Sequence, residues 1–158
     1  MDRRKAGDAV SALALILIFS FMLNYIWESV HEAFLYKGFK CQAELYIMMI
    51  LEAAFTDASI IMGIYLGVAA LWMDILWFLS MKRSQLFISC MAGIIIAAVI
   101  EYRGVLVLRE WSYLPAMPTI FGIGLTPLVQ LSATGLLTFW LTRRILHQKC
   151  ACKQLKRI

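Results

Sequence analysis

Charged side chains are scarce in this sequence. Asp, Glu, Lys and Arg make up 16% of its 158 residues and hydrophobic residues make up 62%, whereas about one quarter of a soluble domain is charged. Prolines number only three, and no stretch is rich in both Gly and Ser, so nothing marks a linker between domains. The shortage of charge excludes an ordinary soluble protein and predicts one domain, 1–158, embedded in a membrane.

Several enzyme classes lack their motifs here. The sequence contains no Gly-x-Ser-x-Gly, no His-Glu-x-x-His and no glycine-rich phosphate loop, which argues against hydrolases and nucleotide-dependent enzymes. The net charge of +5 does not indicate nucleic acid, because the basic residues stand at the ends of apolar segments, where membrane orientation explains them. The motifs leave any cofactor unknown.

Long apolar segments are what the sequence does have. The first, 9–27, follows a basic start and is too long for the core of a signal peptide. As a helix it would measure about 28 Å, enough to cross a bilayer. The sequence therefore predicts an all-α integral membrane bundle of four transmembrane helices, with spans at about 9–35, 44–70, 85–105 and 118–142.

The second apolar region, 45–81, is long enough for one tilted helix or a hairpin of two. A single crossing puts eleven of the 15 Lys and Arg residues on the side of both termini, and leaves Lys37, Lys40, Arg103 and Arg109 on the other. The positive-inside rule favours that arrangement. It predicts a multi-pass protein of the cell (inner) membrane with both termini cytoplasmic and 143–158 as a basic tail. Residues 70–81 would then extend the second helix into the interface.

Polar residues recur within the outer half of these spans, except for Asp57 near the midplane. A carboxylate at the bilayer centre costs about 2.5–3.5 kcal/mol on insertion scales, so such residues normally face the bundle interior. We therefore predict an outward-facing polar pocket in which Glu101, Glu28 and His31 carry acid–base chemistry. The residues predicted to bind a ligand around them are Asn24, Trp27, Glu52, Asp57, Arg109, Trp111, Tyr113 and Gln130.

Other interpretations of these residues stay open. Glu28 and His31 could simply be solvated at the membrane interface. Their spacing also lets two side chains share a metal, but the motif occurs once, so a metal site is the lesser alternative. The loop 103–119 is either an interfacial aromatic belt or a lid over the pocket. In the fourth span, Pro127 is expected to kink the helix, and Cys150 and Cys152 have no assigned role.

The order of these motifs resembles a family of small prokaryotic polytopic membrane proteins of uncharacterised function. The matching stretches are Asn24-x-x-Trp27-Glu28-x-x-His31, Asp57, Glu101, Trp111-x-Tyr113, Met117-Pro118 and GIGLTPLVQ at 122–130. More remotely, Glu101, Trp111-x-Tyr113 and Pro127 are similar to the membrane lycopene (carotenoid) cyclase domain. That similarity implies a helical scaffold for a long isoprenoid-like ligand, but not cyclase activity, since Val129 and Gln130 stand where that family has an acidic pair.

The expected function is acid–base chemistry on, or binding of, a lipophilic molecule such as an isoprenoid or membrane lipid. The alternatives are a small transporter or a protein that binds protons or metal ions, and a non-catalytic assembly subunit; a homo-oligomer is also left open. A transporter needs polar groups that continue across the membrane. The second span is apolar from Asp57 to Asp74, which argues against such a path.

Overall fold

The computed structural model describes residues 3–37 and 43–155, with the side chains of 5–37 and 43–148. Within these ranges the chain forms four long helices: α1 (Arg3–Leu35), α2 (Ala43–Trp72), α3 (Arg83–Glu101) and α4 (Leu125–Leu155). Each contains a segment long and apolar enough to cross a membrane. The protein is an all-α four-helix bundle of the multi-pass membrane type, which confirms the predicted fold class.

Consecutive helices run in opposite directions and pack as a ring. α1 packs on α2 and α4, and α3 packs on α4, whereas the contact between α2 and α3 is smaller. At one end of the bundle, α1 and α3 finish and α2 and α4 begin; we call this the cavity end. At the opposite end α1 begins, at Arg3, and α4 finishes, at Leu155, and we call it the terminal end.

Large aromatic side chains fill the terminal half of the bundle. After α2 the chain turns at Met73, which has a φ of 52°, and forms a short 3-10 helix, Trp77–Leu79. Trp77 and Phe78 are fully buried and pack on Tyr65, and the Trp77 indole donates a hydrogen bond to the Tyr65 carbonyl at 3.2 Å. The prediction that 70–81 extends the second helix into the interface is therefore wrong. The segment folds back because these two rings bury more apolar surface inside the bundle than at the interface.

The first three helices match their predicted spans closely, but the fourth begins later than predicted. Residues 119–124 form a small antiparallel hairpin, Thr119–Ile120 with Ile123–Gly124, whose turn places Gly122 at a φ of +80°. The span predicted as 118–142 is thus wrong at its start. At the other end, α4 continues through most of the predicted tail 143–158, of which 156–158 lie outside the described residues.

Pro127 does not kink α4, contrary to the prediction. It lies in the first turn of the helix, where the missing N–H removes no helical hydrogen bond. A Cβ on Gly124 would lie 3.0 Å from the Pro127 ring and 3.1 Å from the Tyr113 ring, so the glycine allows this close approach. Gln130 consequently lies only about 8 Å along α4 from its first residue.

Candidate functional site

A cavity of about 950 Å³, counting the open space at its mouth, lies among the helices at the cavity end. Two aromatic residues, Tyr36 and Trp111, form part of its wall, and several apolar side chains complete it. The acidic residues that line it are Glu28, Glu32, Glu52, Asp57 and Glu101. Among the described residues, no Lys, Arg or His lines this cavity. The part of the wall that the structure describes is therefore acidic, and no basic side chain within it balances the carboxyl groups.

The cavity reaches the outer surface of the bundle along α2. Glu52 and Thr56 on α2 line it and are also exposed at the surface of the bundle. Ala53 from α2 and Ala97 from α3 also line the cavity, and these two helices make only a small contact.

Gln130 connects two of the carboxyl groups. Its Nε2 donates to Glu28 Oε1 and, at 2.7 Å, to Asp57 Oδ2, and it also lies 3.3 Å from Asn24 Oδ1. A side-chain amide has two N–H hydrogens, and here three acceptors surround them. Glu28 and Asp57 therefore meet at one amide, and two carboxyl groups this close titrate as a pair rather than independently.

Glu101 is held by three donors. The Tyr36 hydroxyl donates to its Oε1 at 3.0 Å, while the Trp111 indole, at 3.3 Å, and the Tyr113 hydroxyl donate to its Oε2. The Tyr113 oxygen in turn accepts from the Gly124 N–H at 2.9 Å. Three donors converging on one buried carboxyl group suit a carboxylate that accepts hydrogen bonds. Glu101 is thus held in position as a hydrogen-bond acceptor.

The two phenols beside Glu101 are stable as donors. Burial, together with the negative charge of Glu101, raises the pKa of Tyr36. Burial and the hydrogen bond to Glu101 raise the pKa of Tyr113 in the same direction. Both hydroxyl groups therefore keep their protons, and continue to donate, at pH values where ordinary phenols begin to ionise.

His31 is buried but does not line the cavity. Its Nε2 shares a 2.6 Å hydrogen bond with Thr126 Oγ1 at the start of α4. Its ring packs between Trp27 and Tyr36, at centroid distances of 5.9 and 5.2 Å. The structure thus places His31 behind Tyr36, where it connects α1 to α4, and not on the wall beside Glu28. Trp27, predicted to bind ligand, likewise lies outside the cavity wall.

Two more residues that were predicted to bind a ligand, Asn24 and Arg109, also lie outside the cavity wall. Asn24 is fully buried one layer below the cavity and accepts from Thr134 Oγ1 at 3.2 Å. Arg109 is exposed in the loop after α3, away from the cavity wall. In the part of the chain that the structure describes, no group of three or more His, Cys, Asp or Glu side chains could hold a metal ion. Cys41 and the side chains of Cys150 and Cys152 lie outside the described residues.

Two cavity residues, Glu32 and Tyr36, were not among the predicted site residues. They follow Glu28 at successive four-residue steps, a spacing that places side chains on neighbouring turns of one helix face. That periodicity could have found both. The end of α1 also pairs with the loop 108–118, because the Leu35 carbonyl accepts from the Leu114 N–H at 2.8 Å. This pairing holds Trp111 over the cavity as part of its wall.

Comparison of the chain with protein-family models, with curated proteins and with solved structures finds no match. The resemblances drawn from the motifs therefore stay expectations.

Proposed function

We propose that the protein binds a lipophilic molecule whose polar end enters the acidic cavity and exchanges a proton with the carboxyl groups there. The observation that carries this proposal is a cavity with five acidic side chains and no basic one among the described residues, which reaches the outer surface of the bundle at Glu52 and Thr56 of α2. Carboxylates in a membrane interior are unfavourable unless they are paired or protonated. A ligand with a positive charge supplies the missing partner, so the favoured class is a lipophilic amine.

The wall residues have distinct parts in this proposal. Glu28 and Asp57, joined through Gln130, form the pair that gives or takes a proton, since two adjacent carboxyl groups hold one proton between them. Glu101 accepts from the charged end of the ligand, and the Trp111 ring beside it is suited to contact a cation through its face. Glu32 Oε2 is buried and has no hydrogen-bond partner among the described residues, which leaves it available to the ligand.

The orientation of the bundle is part of the same proposal. The excess of Lys and Arg on the side of both termini supports a cell membrane protein with cytoplasmic ends, and the cavity then opens in the outer half of the bilayer. A membrane-impermeant thiol reagent added to intact cells should label Cys41, and should label Cys150 and Cys152 only after permeabilisation. Labelling of Cys150 in intact cells would overturn this orientation.

Binding can be tested with three probes of equal chain length: dodecylamine, dodecanol and dodecanoate. The purified protein in phosphatidylcholine nanodiscs is titrated with each, and tryptophan fluorescence follows occupancy, since Trp111 lines the cavity. The amine should bind saturably and at least about tenfold more tightly than the alcohol, a difference of ~1.4 kcal/mol. The carboxylate should bind most weakly, because like charges repel.

Two variants separate cavity binding from partition into the lipid. The double variant Glu28→Gln/Asp57→Asn keeps the shape of the wall and removes its charge, so the preference for the amine should disappear. Glu44→Gln removes an exposed carboxyl group from the first turn of α2, outside the cavity, and should bind as the parent does. Equal affinity for all three probes, or an unchanged preference in the double variant, would refute the proposal.

A further inference from the structure

A line of polar side chains continues from the cavity toward the terminal end, along the interface between α1 and α4. On each helix the members recur every four residues, so they lie on nearly one face. The members on α1 are Glu28, Asn24 and Ser20, and those on α4 are Gln130, Thr134, Thr138 and Thr142. All of them except Glu28 are at most 5% exposed. We call these seven residues the polar line.

The cavity half of the polar line is satisfied by protein groups. The Thr134 hydroxyl has two acceptors within hydrogen-bond distance, the Gln130 carbonyl and Asn24 Oδ1. Ser20 Oγ donates to the Ile16 carbonyl at 2.6 Å, and Asn24 Nδ2 donates to the Ser20 carbonyl at 2.8 Å. The line therefore begins as a continuous network below Glu28 and Asp57.

The terminal half of the polar line lacks such hydrogen bonds among the described residues. The Oγ1 atoms of Thr138 and Thr142 have no hydrogen-bond partner among the described residues, although both side chains are fully buried. A buried hydroxyl without a partner is unfavourable, and valine would fill the same volume without that penalty. Packing alone does not account for two such hydroxyl groups in succession, so a small polar ligand is indicated, and water is the smallest.

The spacing of the hydroxyl groups fits water. Four residues of α-helix rise about 6 Å, and a water molecule accepts and donates over about 2.8 Å in each direction. One water between Thr134 and Thr138, and another between Thr138 and Thr142, would span these gaps. Because α1 and α4 are antiparallel and Asn24 lies beside Gln130 and Thr134, Ser20 lies near the level of Thr138 and adds a second polar side to the line.

We propose that the polar line, bridged by water, conducts protons between the Glu28–Asp57 pair and the terminal face of the membrane. Each hydroxyl and water in turn accepts one proton and releases one, so only O–H bonds form and break. The Asn24 and Gln130 amides order the last water next to the carboxyl pair, which takes up the proton. A proton leaving that pair into the cavity completes the transfer.

This activity goes beyond the binding proposed above, because it needs a path and no organic ligand. It also differs from the expectation drawn from the second span, which is apolar beyond Asp57. That expectation considered one helix, whereas the polar line runs along α1 and α4. The two proposals can therefore fail independently. A protein that transfers no protons could still bind the amine, and a protein that does not bind the amine could still transfer protons.

Proton transfer is measured in liposomes that contain the purified full-length protein and an internal pH-sensitive dye. A potassium gradient with valinomycin drives protons inward, and protein-free liposomes set the background. The parent should exceed that background several-fold. Thr138→Val/Thr142→Val, which keeps the shape and removes both hydroxyl groups, should lower the excess flux at least fivefold. Thr119→Val, the same change at an exposed position of the hairpin, should leave it unchanged.

Further measurements separate conduction from structure. Thr138→Ser/Thr142→Ser retains the hydroxyl groups and should retain the flux, which a purely structural role of the threonine methyl groups would not produce. Dodecylamine binding by the valine double variant should equal that of the parent, which shows that the cavity is intact. A parent flux no greater than background would overturn the proposal whether or not the variants fold, and so would an unchanged flux in the valine double variant.

Discussion

Gln130 holds the acidic floor of the cavity together, and Gln130→Leu tests this. The substitution keeps the approximate volume of a side chain that is 5% exposed and removes the amide that bonds Glu28, Asp57 and Asn24. Hydrogen bonds to charged groups contribute about 1.5–3 kcal/mol each. Because the two carboxyl groups share one proton, one of the two bonds is to a charged group and the other to a neutral one. Their loss should therefore lower the free energy of unfolding by ~2–4.5 kcal/mol.

Gln85→Leu is the matched control, because Gln85 is 2% exposed and bonds to an uncharged group. Its Oε1 accepts from the backbone N–H of Lys82 at 2.9 Å. That change should cost only about 0.5–1.5 kcal/mol. The free energy of unfolding of both variants is measured by titrating detergent-solubilised protein with SDS and following helix content by circular dichroism. The difference between the two variants isolates the contribution of the carboxyl groups.

A second substitution checks the cause. Adding Glu28→Gln to Gln130→Leu removes one carboxyl group and gives Asp57 a new amide donor, so it should recover about 1–3 kcal/mol of the lost stability. In the parent, Glu28→Gln alone should have a much smaller effect. If Gln130→Leu is no more destabilising than Gln85→Leu, Gln130 does not pair the carboxyl groups and the proposed proton-sharing pair is refuted.

Two further predictions concern the aromatic side of the cavity. A Cβ at Gly104 would lie 1.9 Å from the Trp111 ring, so Gly104→Ala should displace that ring, shift tryptophan emission and lower the free energy of unfolding by ~1–3 kcal/mol. A Cβ at Gly63 would meet nothing within 4 Å, so the control Gly63→Ala should change neither the emission nor the stability. Equal effects of the two substitutions would contradict the packing of Trp111 on Gly104. Burial and Glu101 raise the pKa of Tyr36 in the folded protein, so the folded state favours the neutral phenol. This preference adds to the free energy of unfolding fully below pH ~10, where the unfolded chain also keeps the proton, and the addition is lost as the pH rises above that value. Tyr36→Phe should therefore show a shallower fall in unfolding free energy between about pH 10 and 12, and an equal slope would argue against a buried phenol.

The four membrane helices follow from the sequence alone. An uninterrupted apolar run of about 20 residues has few stable alternatives to a spanning helix, and the observed helices contain such runs. Helical periodicity likewise places Asn24 and Glu28 on one face, and the unfavourable energy of carboxylates in lipid predicts that this face points inward. In the structure, Glu28, Asp57 and Glu101 line the same cavity.

Only the tertiary structure decided how the faces meet. His31 shares the predicted polar side of α1 but lies behind Tyr36, and Trp77 is buried rather than interfacial, because packing set where each ring fits. The start of α4 depended on a hairpin with a positive φ at Phe121, a residue type that gives no sign of it. Periodicity fixes which residues share one helix face, but the rotation of each helix about its axis is fixed by its neighbours. For that reason the four-residue spacing of Thr134, Thr138 and Thr142 is present in the sequence, but their burial in the bundle was decided by the packing of the helices.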